Sequence, residues 1–200
     1  LSLMGIPAFR AAAEGEAQAS VMAANGQLDA VATQDWDALL YGAPVVIRNF
    51  ASDGSKRMGR VIRAQRIELT QILSDNELSR AQLIDLAIMI GTDFHPGIKG
   101  VGPKTGLKLI KEFDNIEAIC EAKEKEVPER LDEIREIFMD HPVVAIDDSD
   151  LVQGDVDVEG LKKFLVEDRQ FSQKRFDNAM DLLEQAGLVR TGGQTSLFSF

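Results

Sequence analysis

The sequence GTDFHPGIKGVGPKTGLKLI, residues 91–110, decides how this chain folds, because it joins two helical patterns through a loop rich in glycine and proline. Gly91 ends the first pattern, which starts at Ser79 with the spacing of a capping box, and Pro103 suits the first turn of the second. Three lysines stand in this stretch beside one aspartate, Asp93, although the whole protein has a net charge of −11. A lysine-bearing loop in an acidic protein calls for a chemical explanation.

The loop at residues 97–104, GIKGVGPK, has the form of a helix–hairpin–helix turn. Glycine lets a backbone approach a phosphate closely, and the next helix presents free N–H groups to the anion. Lysines add charge that contacts phosphates without reading base identity. A plain turn between helices is the alternative, whereas a nucleotide-binding P-loop is excluded because its Gly-x4-Gly-Lys-Ser/Thr pattern is absent. The predicted DNA contacts here are Lys99, Gly100, Gly102, Lys104 and Lys108.

The acidic charge is unevenly distributed along the chain. Residues 112–168 hold 19 acidic and six basic side chains, so the remaining residues sum to about +2. Residues 41–66 hold six basic side chains against Asp53 alone. A local basic face is therefore compatible with a polyanionic partner, despite the acidic total.

The composition predicts a globular chain of one or two domains in a reducing compartment. Hydrophobic residues make up 44% of the chain and charged residues 28%, which is typical of such proteins. Cys120 is the single cysteine, which excludes an internal disulfide framework and a multi-cysteine zinc site. No apolar run approaches the roughly 18 residues of a membrane helix, and no signal peptide is recognisable. We expect a cytoplasmic, monomeric protein without membrane association.

Carboxylates recur in pairs near the ends of predicted elements. Glu14 and Glu16 stand where a helix begins, Asp35 and Asp37 follow a predicted strand, and Asp93 follows a helix. Taken singly, each acid is explained as a helix cap or as a partner of the helix dipole. Taken together, they are the oxygen ligands that Mg²⁺ prefers, and two such ions about 4 Å apart can hydrolyse a phosphodiester. With only two histidines in the chain, a zinc site is not favoured.

Alternating patterns predict an α/β fold with a helical continuation. A helix at about 13–24, a strand at 28–33, a short helix and a strand at 44–50 suggest half of an α/β sheet. The chain beyond residue 79 has helical periodicity, and the predicted helices there lie at about 79–90, 103–113, 116–139 with a break at Pro128, 159–167 and 172–186.

Four motifs together resemble the flap endonucleases of the structure-specific 5′ nuclease superfamily, above all the archaeal members. The motifs are MGIPAFRAAAEGEAQAS (4–20), LDAVATQDWDALLYGAP (28–44), IGTDFHPGIKGVGPKTGLKLIKEF (90–113) and QTSLFSF (194–200). The resemblance covers essentially the whole chain. It implies a partial PIN-like three-layer nuclease core at 1–90, a helix–hairpin–helix DNA-binding subdomain at 91–188 and a flexible tail at 189–200.

The resemblance also implies the site and the reaction. Two Mg²⁺ ions per active site would be bound by the catalytic acids Glu14, Glu16, Asp35, Asp37 and Asp93. Glu14, Gly91 and Asp93 would contact the DNA beside the scissile nucleotide. A K⁺ ion, as in relatives, would bind the backbone carbonyls of Gly97, Ile98 and Val101. The implied reaction is cleavage of branched DNA at a 5′ flap or 5′ end, in Okazaki-fragment maturation and repair.

The tail and the start of the chain depart from the family pattern. The tail resembles a sliding-clamp-binding motif, whose positions are filled by Gln194, Leu197, Phe198 and Phe200. The usual second terminal aromatic is missing, which indicates either weaker clamp binding or a truncated end, and a frayed end without a partner is the alternative. The family's N-terminal region, with two further metal-binding aspartates and a helical arch, is not found in this sequence, so we expect a fragment. The alternatives are another 5′ nuclease of the superfamily, of the gap or excision-repair type, and a non-catalytic DNA- and clamp-binding module.

Overall fold

The structure, a computed structural model, describes residues 1–57 and 59–189, and it is a mixed α/β fold in which helices predominate. The helices are α1 Gly15–Ala24, α2 Asp37–Leu40, α3 Leu69–Asn76, α4 Arg80–Ile90, α5 Pro103–Phe113, α6 Ile116–Ala122, α7 Leu131–Met139, α8 Val158–Lys162, continued by a π-helical turn Lys163–Asp168, and α9 Gln173–Gln185. The strands are β1 Val31–Ala32, β2 Val45–Arg48, β3 Lys56–Arg57, β4 Arg60–Val61 and β5 Gln65–Glu68. Among the described residues, no helix is both long and apolar enough to cross a membrane. The predicted α/β class is confirmed.

The chain forms two compact units. The larger is Ala11–Val144, and the smaller combines Leu1–Arg10 with the described residues from Ala145 onward. These two units are defined by which residues contact one another. The predicted division at residues 90 and 188 is based instead on the expected role of each region. The predicted domain limits stay a prediction.

A three-stranded sheet with the order β1-β2-β5 lies in the larger unit. Strand β1 runs parallel to β2, with Val31 opposite Val46, and β5 pairs with β2 in the antiparallel sense, with Ile67 opposite Val46. Strands β3 and β4 form a separate hairpin. Strand β1 spans only Val31–Ala32 and is shorter than the predicted 28–33. Its end delivers the D-x-D segment to the edge of the sheet.

Helices α4 and α5 pack tightly in the centre of the larger core. Ile88 and Met89 of α4 and Ile110 of α5 are completely buried. Gly106 of α5 allows this approach, because a Cβ there would lie 2.7 Å from Cδ1 of Leu86. Burying each large apolar side chain contributes about 1.5–3 kcal/mol. This packing fixes both ends of the loop at residues 91–102.

Local sequence signals set the ends of these helices. Ser79 begins α4 with the predicted capping box: its Oγ accepts the N–H of Gln82 at 3.2 Å, and its own N–H donates to Oε1 of Gln82 at 2.8 Å. Pro103 occupies the first turn of α5, as predicted. Asn115 caps α6 by accepting the N–H of Ala118 at 2.9 Å. The predicted helix at 116–139 is two helices, α6 and α7, separated by the segment that contains Pro128.

In the smaller unit, the first residues of the chain pair with the segment before α8. The N–H of Gly154 donates to the carbonyl of Gly5 at 2.8 Å, and the N–H of Asp157 donates to that of Leu3 at 2.9 Å. Gly5 has a φ of +63°, and a Cβ there would lie 2.2 Å from the Gly154 oxygen, so only glycine fits.

Candidate functional site

The E-x-E pair lies at the start of α1. Glu14 is the N-cap residue with an extended backbone, and Glu16 lies in the first turn. Thr33, just after β1, donates its hydroxyl to Oε1 of Glu16 at 3.2 Å and accepts the N–H of Asp35 at 3.0 Å. One hydroxyl therefore ties the E-x-E segment to the D-x-D segment.

The D-x-D pair joins β1 to α2. Oδ1 of Asp35 accepts the N–H of Asp37 at 3.2 Å, a local contact that starts the short helix. Trp36, between the two acids, is half exposed, and the guanidinium of Arg48 lies over its ring at 4.1 Å from the centroid. Asp35 therefore has the local role at the start of a helix that would explain a single aspartate. Its second carboxylate oxygen, Oδ2, takes no part in this contact and is available to a ligand.

Asp93 lies in a tight turn after α4. The N–H of Thr92 donates to the carbonyl of His95 at 2.8 Å, and the reverse hydrogen bond is 3.2 Å long. Gly91, which ends the helix, has a φ of +126°, a backbone conformation that L-residues with a side chain rarely adopt. Nδ1 of His95 accepts the N–H of Gly97 at 3.0 Å. The turn with Asp93 therefore leads directly into the glycine hairpin.

The five predicted acids are coupled electrostatically around Asp37. Burial raises the pKa of the Asp37 carboxyl above its ordinary value, and the charges of Asp35, Asp93, Glu16 and Glu14 raise it further. These acids come from three segments that are far apart in the sequence, so the fold brings them into one electrostatic neighbourhood. Their role as metal ligands stays a prediction.

The predicted ligands are of the chemical type that a hard divalent cation prefers. All five offer carboxylate oxygens, and hydrogen bonds from Thr33 and from the Asp37 backbone orient two of the carboxylates. In the part of the chain that the structure describes, no three Asp, Glu, His or Cys side chains lie close enough to hold an ion as they stand. Uncompensated carboxylates repel one another, and a bound cation would remove that repulsion.

Tyr41 borders the acids, and it was not among the site residues predicted from the sequence. Its ring packs against Phe138 at 5.2 Å and His141 at 5.3 Å, measured between ring centroids. Burial raises the pKa of Tyr41 to about 12, and negative charges, that of Glu14 first, add to the effect. The sequence does carry a signal for Tyr41: it stands four residues after Asp37, and residues four apart share a helix face.

The glycine hairpin is held closely against the end of α4. The N–H of Ile98 donates to the carbonyl of Met89 at 2.8 Å, and the N–H of Val101 donates to that of Ile98 at 2.9 Å. Gly97 has a φ of +88°, and a Cβ there would lie only 2.6 Å from the carbonyl oxygen of Ile90. The backbone of the hairpin is therefore fixed by hydrogen bonds and by glycine packing.

The predicted phosphate contacts lie on the surface of this hairpin and of α5. Lys99, Lys104 and Lys108 are exposed, and Gly102 is the N-cap residue of α5. Gly100 has a φ of +84° with open space around it, so a ligand can approach its backbone. Among the carbonyls predicted to bind K⁺, that of Ile98 already accepts a hydrogen bond and keeps one lone pair. The predicted clamp contacts Gln194, Leu197, Phe198 and Phe200 lie outside the described residues.

Comparisons with known proteins point to one family. The XPG I-region family matches residues 5–93. Flap endonuclease 1 of Methanosarcina barkeri is 44% identical over 98% of this chain, which spans 58% of the length of that relative.

Solved structures agree with this relationship. The flap endonuclease-1 from Methanococcus jannaschii is 41% identical, with a TM-score of 0.76 over 92% of this chain and 55% of that one. The Holliday junction-resolving enzyme GEN1, in complex with product DNA and an Mg²⁺ ion, is 25% identical, with a TM-score of 0.62 over 83% of this chain and 48% of that one.

Proposed function

Since this chain belongs to the flap endonuclease family, we propose that it forms the part of a structure-specific 5′ nuclease that holds metal-binding acids and grips duplex DNA. The whole protein would cleave branched DNA at the junction between a 5′ flap and the duplex, in Okazaki-fragment maturation and repair. The observation that carries this proposal is that acids from three separate segments lie around Asp37, with the Thr33 hydroxyl joining the E-x-E segment to the D-x-D segment.

The predicted ligands of two Mg²⁺ ions are Glu14, Glu16, Asp35, Asp37 and Asp93. When bound, such ions supply an activated water and stabilise the leaving oxygen. The chain's own contribution is orientation: Thr33 fixes a carboxylate oxygen of Glu16, and the Asp37 N–H fixes one of Asp35. The similarity to GEN1, whose structure contains an Mg²⁺ ion, supports this choice of metal.

The hairpin supplies the grip on the duplex. Its exposed lysines and the start of α5 would contact phosphates, which fixes the position of the DNA without selecting a sequence. Because the turn that contains Asp93 runs directly into the hairpin, a duplex held there would place a phosphodiester near the acids. We include K⁺ at the carbonyls of Gly97, Ile98 and Val101 in this proposal.

The experiment that tests the function is cleavage of a 5′-labelled flap substrate by the full-length protein in Mg²⁺. We expect Asp93→Ala and Asp35→Ala to abolish cleavage and to leave DNA binding largely intact. Asp75→Ala, which removes an exposed aspartate on α3, is the matched control and should retain activity. Cleavage at the wild-type rate in the first two variants would refute the metal role. Faster cutting of gapped than of flapped DNA would favour the gap type of nuclease.

The remaining parts of the proposal concern partners and setting. We propose a monomer that acts in the cytoplasm at the nucleoid and is recruited by a sliding clamp through residues 194–200. Deletion of those residues should abolish clamp binding and leave cleavage of free flap DNA unchanged. Retained clamp binding in the deletion variant would show that the tail is not the contact.

A further inference from the structure

The end of α7 and the residues after it, 138–144, are here called the strap. The strap contains none of the predicted metal ligands. It nevertheless contacts residues in or next to each of the three segments that carry the acids, at 14–18, 35–41 and 91–95. All of these contacts lie within the larger compact unit. The strap is also far from the acids in sequence, 126 residues in the case of its contact with α1.

A buried glutamine fastens the strap to α1. Gln18 is only 6% exposed, and its side-chain amide pairs with both backbone groups of Val144. Oε1 accepts the Val144 N–H at 2.7 Å, and Nε2 donates to the Val144 carbonyl at 3.0 Å. Only an amide side chain offers a donor and an acceptor in this arrangement, and a buried glutamate would lack the donor and carry an unpaired charge.

A second contact fastens the strap to Glu14, which lies one helical turn before Gln18 at the start of α1. The N–H of Glu14 donates to Nε2 of His141 at 3.4 Å, and Nδ1 of the same ring lies 3.2 Å from the carbonyl of Ile137. A neutral imidazole with its hydrogen on Nδ1 satisfies both contacts. The two fastenings, at Glu14 and Gln18, lie on either side of Glu16.

The strap also contacts the other two acid-bearing segments. The ring of Phe138 packs against Tyr41, which follows α2, and against Phe94, the neighbour of Asp93, at centroid distances of 5.2 and 5.6 Å. Arg80 donates to the carbonyl of Phe138 at 2.6 Å and to that of Leu40, the last residue of α2, at 3.0 and 3.1 Å.

We propose that the strap is a positioning element for the metal-binding acids, with Gln18 and His141 as its positioning residues. This inference rests on the proposed metal role of the acids. Since one segment contacts all three acid-bearing segments, it keeps their relative positions without touching a metal ion. Loss of a fastening should loosen carboxylates that the altered residue does not contact.

The test is binding of Mn²⁺ alone to the purified full-length protein, followed by the electron paramagnetic resonance signal of the free ion. Gln18→Met and His141→Leu keep the approximate size of each side chain and remove the hydrogen bonds. We expect both to weaken Mn²⁺ binding by roughly 10–100-fold, the effect of removing a group that orients a metal ligand. His141→Gln retains an acceptor and should rescue binding. Gln71→Met, at an exposed glutamine on α3, is the matched control.

A positioning role predicts that these variants stay folded and bind duplex DNA normally in metal-free buffer. If Gln18→Met fails to fold, the pair His141→Leu and His141→Gln decides, because His141 is only partly buried. Mn²⁺ binding within about twofold of wild type in folded Gln18→Met and His141→Leu would overturn the proposal.

Amide hydrogen exchange separates this inference from the proposed function. If wild-type protein binds no Mn²⁺, the metal role fails, and the positioning role is decided by the exchange rates. Faster exchange at Thr92 and Tyr41 in His141→Leu would support a strap that orders all three segments. Changes confined to residues near 141 would overturn it.

Discussion

Arg135 donates to both carboxylate oxygens of Asp85, each at 2.7 Å, and so joins α7 to α4 across fifty residues of sequence. Asp85 is 4% exposed, and the same guanidinium also contacts Glu117 of α6. The N–H of Ile116 donates to Asp85 as well, at 3.2 Å. A buried carboxylate is thus compensated from two other helices, which fixes how α4, α6 and α7 pack behind the hairpin.

Arg135→Met should destabilise the protein strongly, because it leaves the Asp85 charge buried without its partner. We expect the free energy of unfolding to fall by about 3–5 kcal/mol in urea titrations. The double variant Asp85→Asn/Arg135→Met should recover much of this loss. Arg130→Met, which removes an exposed ion pair with Glu133, is the control and should leave stability nearly unchanged, because solvent screens exposed pairs. A comparable loss in both single variants would contradict this account.

Tyr41 should ionise at unusually high pH. Burial and the neighbouring carboxylates raise the pKa of Tyr41 to about 12, and as the single tyrosine it gives an unambiguous absorbance change near 295 nm. Since the folded state holds this proton more tightly than the unfolded state, stability should fall as pH rises through the range between the ordinary pKa of about 10 and the raised one. Asp37→Asn should lower the midpoint. A midpoint near 10 in protein that circular dichroism shows to be folded would disprove the coupling.

Asp37→Asn should also stabilise the protein in metal-free buffer. Burial and four carboxylates raise the pKa of Asp37, so its charged form opposes folding. This cost is fully present above the raised pKa and disappears as pH falls below the unfolded value near 3.9. We therefore expect Tm to rise by roughly 1–3 °C at pH 7 and the difference from wild type to vanish near pH 3. An unchanged Tm at pH 7 would speak against repulsion at this position.

Gly97→Ala should be more damaging than Gly100→Ala, although both glycines have positive φ values. At Gly100 the new methyl group meets open space, so the cost is backbone strain alone, about 1–2 kcal/mol. At Gly97 the methyl group would also meet the carbonyl of Ile90, and we expect a loss of about 3 kcal/mol or more. Urea unfolding of the two variants checks the difference. Equal losses would mean that the hairpin is not held against α4.

Lys99→Ala/Lys104→Ala should weaken DNA binding equally for all sequences, because lysine–phosphate contacts carry no base information. The slope of log K against log salt should become shallower by about 2, near one unit for each lost phosphate contact. Lys111→Ala is the matched control, since Lys111 lies on α5 like Lys104 but its Nζ is paired with Glu77 at 2.8 Å. A slope that stays at the wild-type value in the double variant would exclude these lysines from the interface.

Features of the fold that depend on local interactions are predictable from the sequence. The Ser79 capping box and the Pro103 helix start depend on residues within one turn, and the structure confirms both. The hairpin β3–β4, the strand β5 and the helix α3 were not predicted. Strand β5 depends on pairing with β2, and α3 begins at the buried Leu69, so both depend on tertiary contacts. The hairpin β3–β4 pairs only with itself. The helix predicted at 159–167 ends as a π-helical turn, for which the sequence carries no visible local signal.

In the candidate site, too, residues with a local sequence signal were predictable and residues that depend on distant contacts were not. Its acids were recognisable because E-x-E and D-x-D spacing is visible within three residues. His141 and Gln18 were not, because the partner of each stands about 126 residues away, and only the completed packing brings them together. Thr33 is an intermediate case: it adjoins the D-x-D motif, but its contact with Glu16 depends on the fold.

Trp36 gives the candidate site an intrinsic fluorophore. It is the single tryptophan of the chain, it stands between two of the acids, and it is 50% exposed beneath the Arg48 guanidinium. All tryptophan emission from this protein therefore originates beside the carboxylates, without an attached dye. A change in the D-x-D segment, whether from a cation, from DNA or from release of a distant contact, can be followed as a change in that emission in real time.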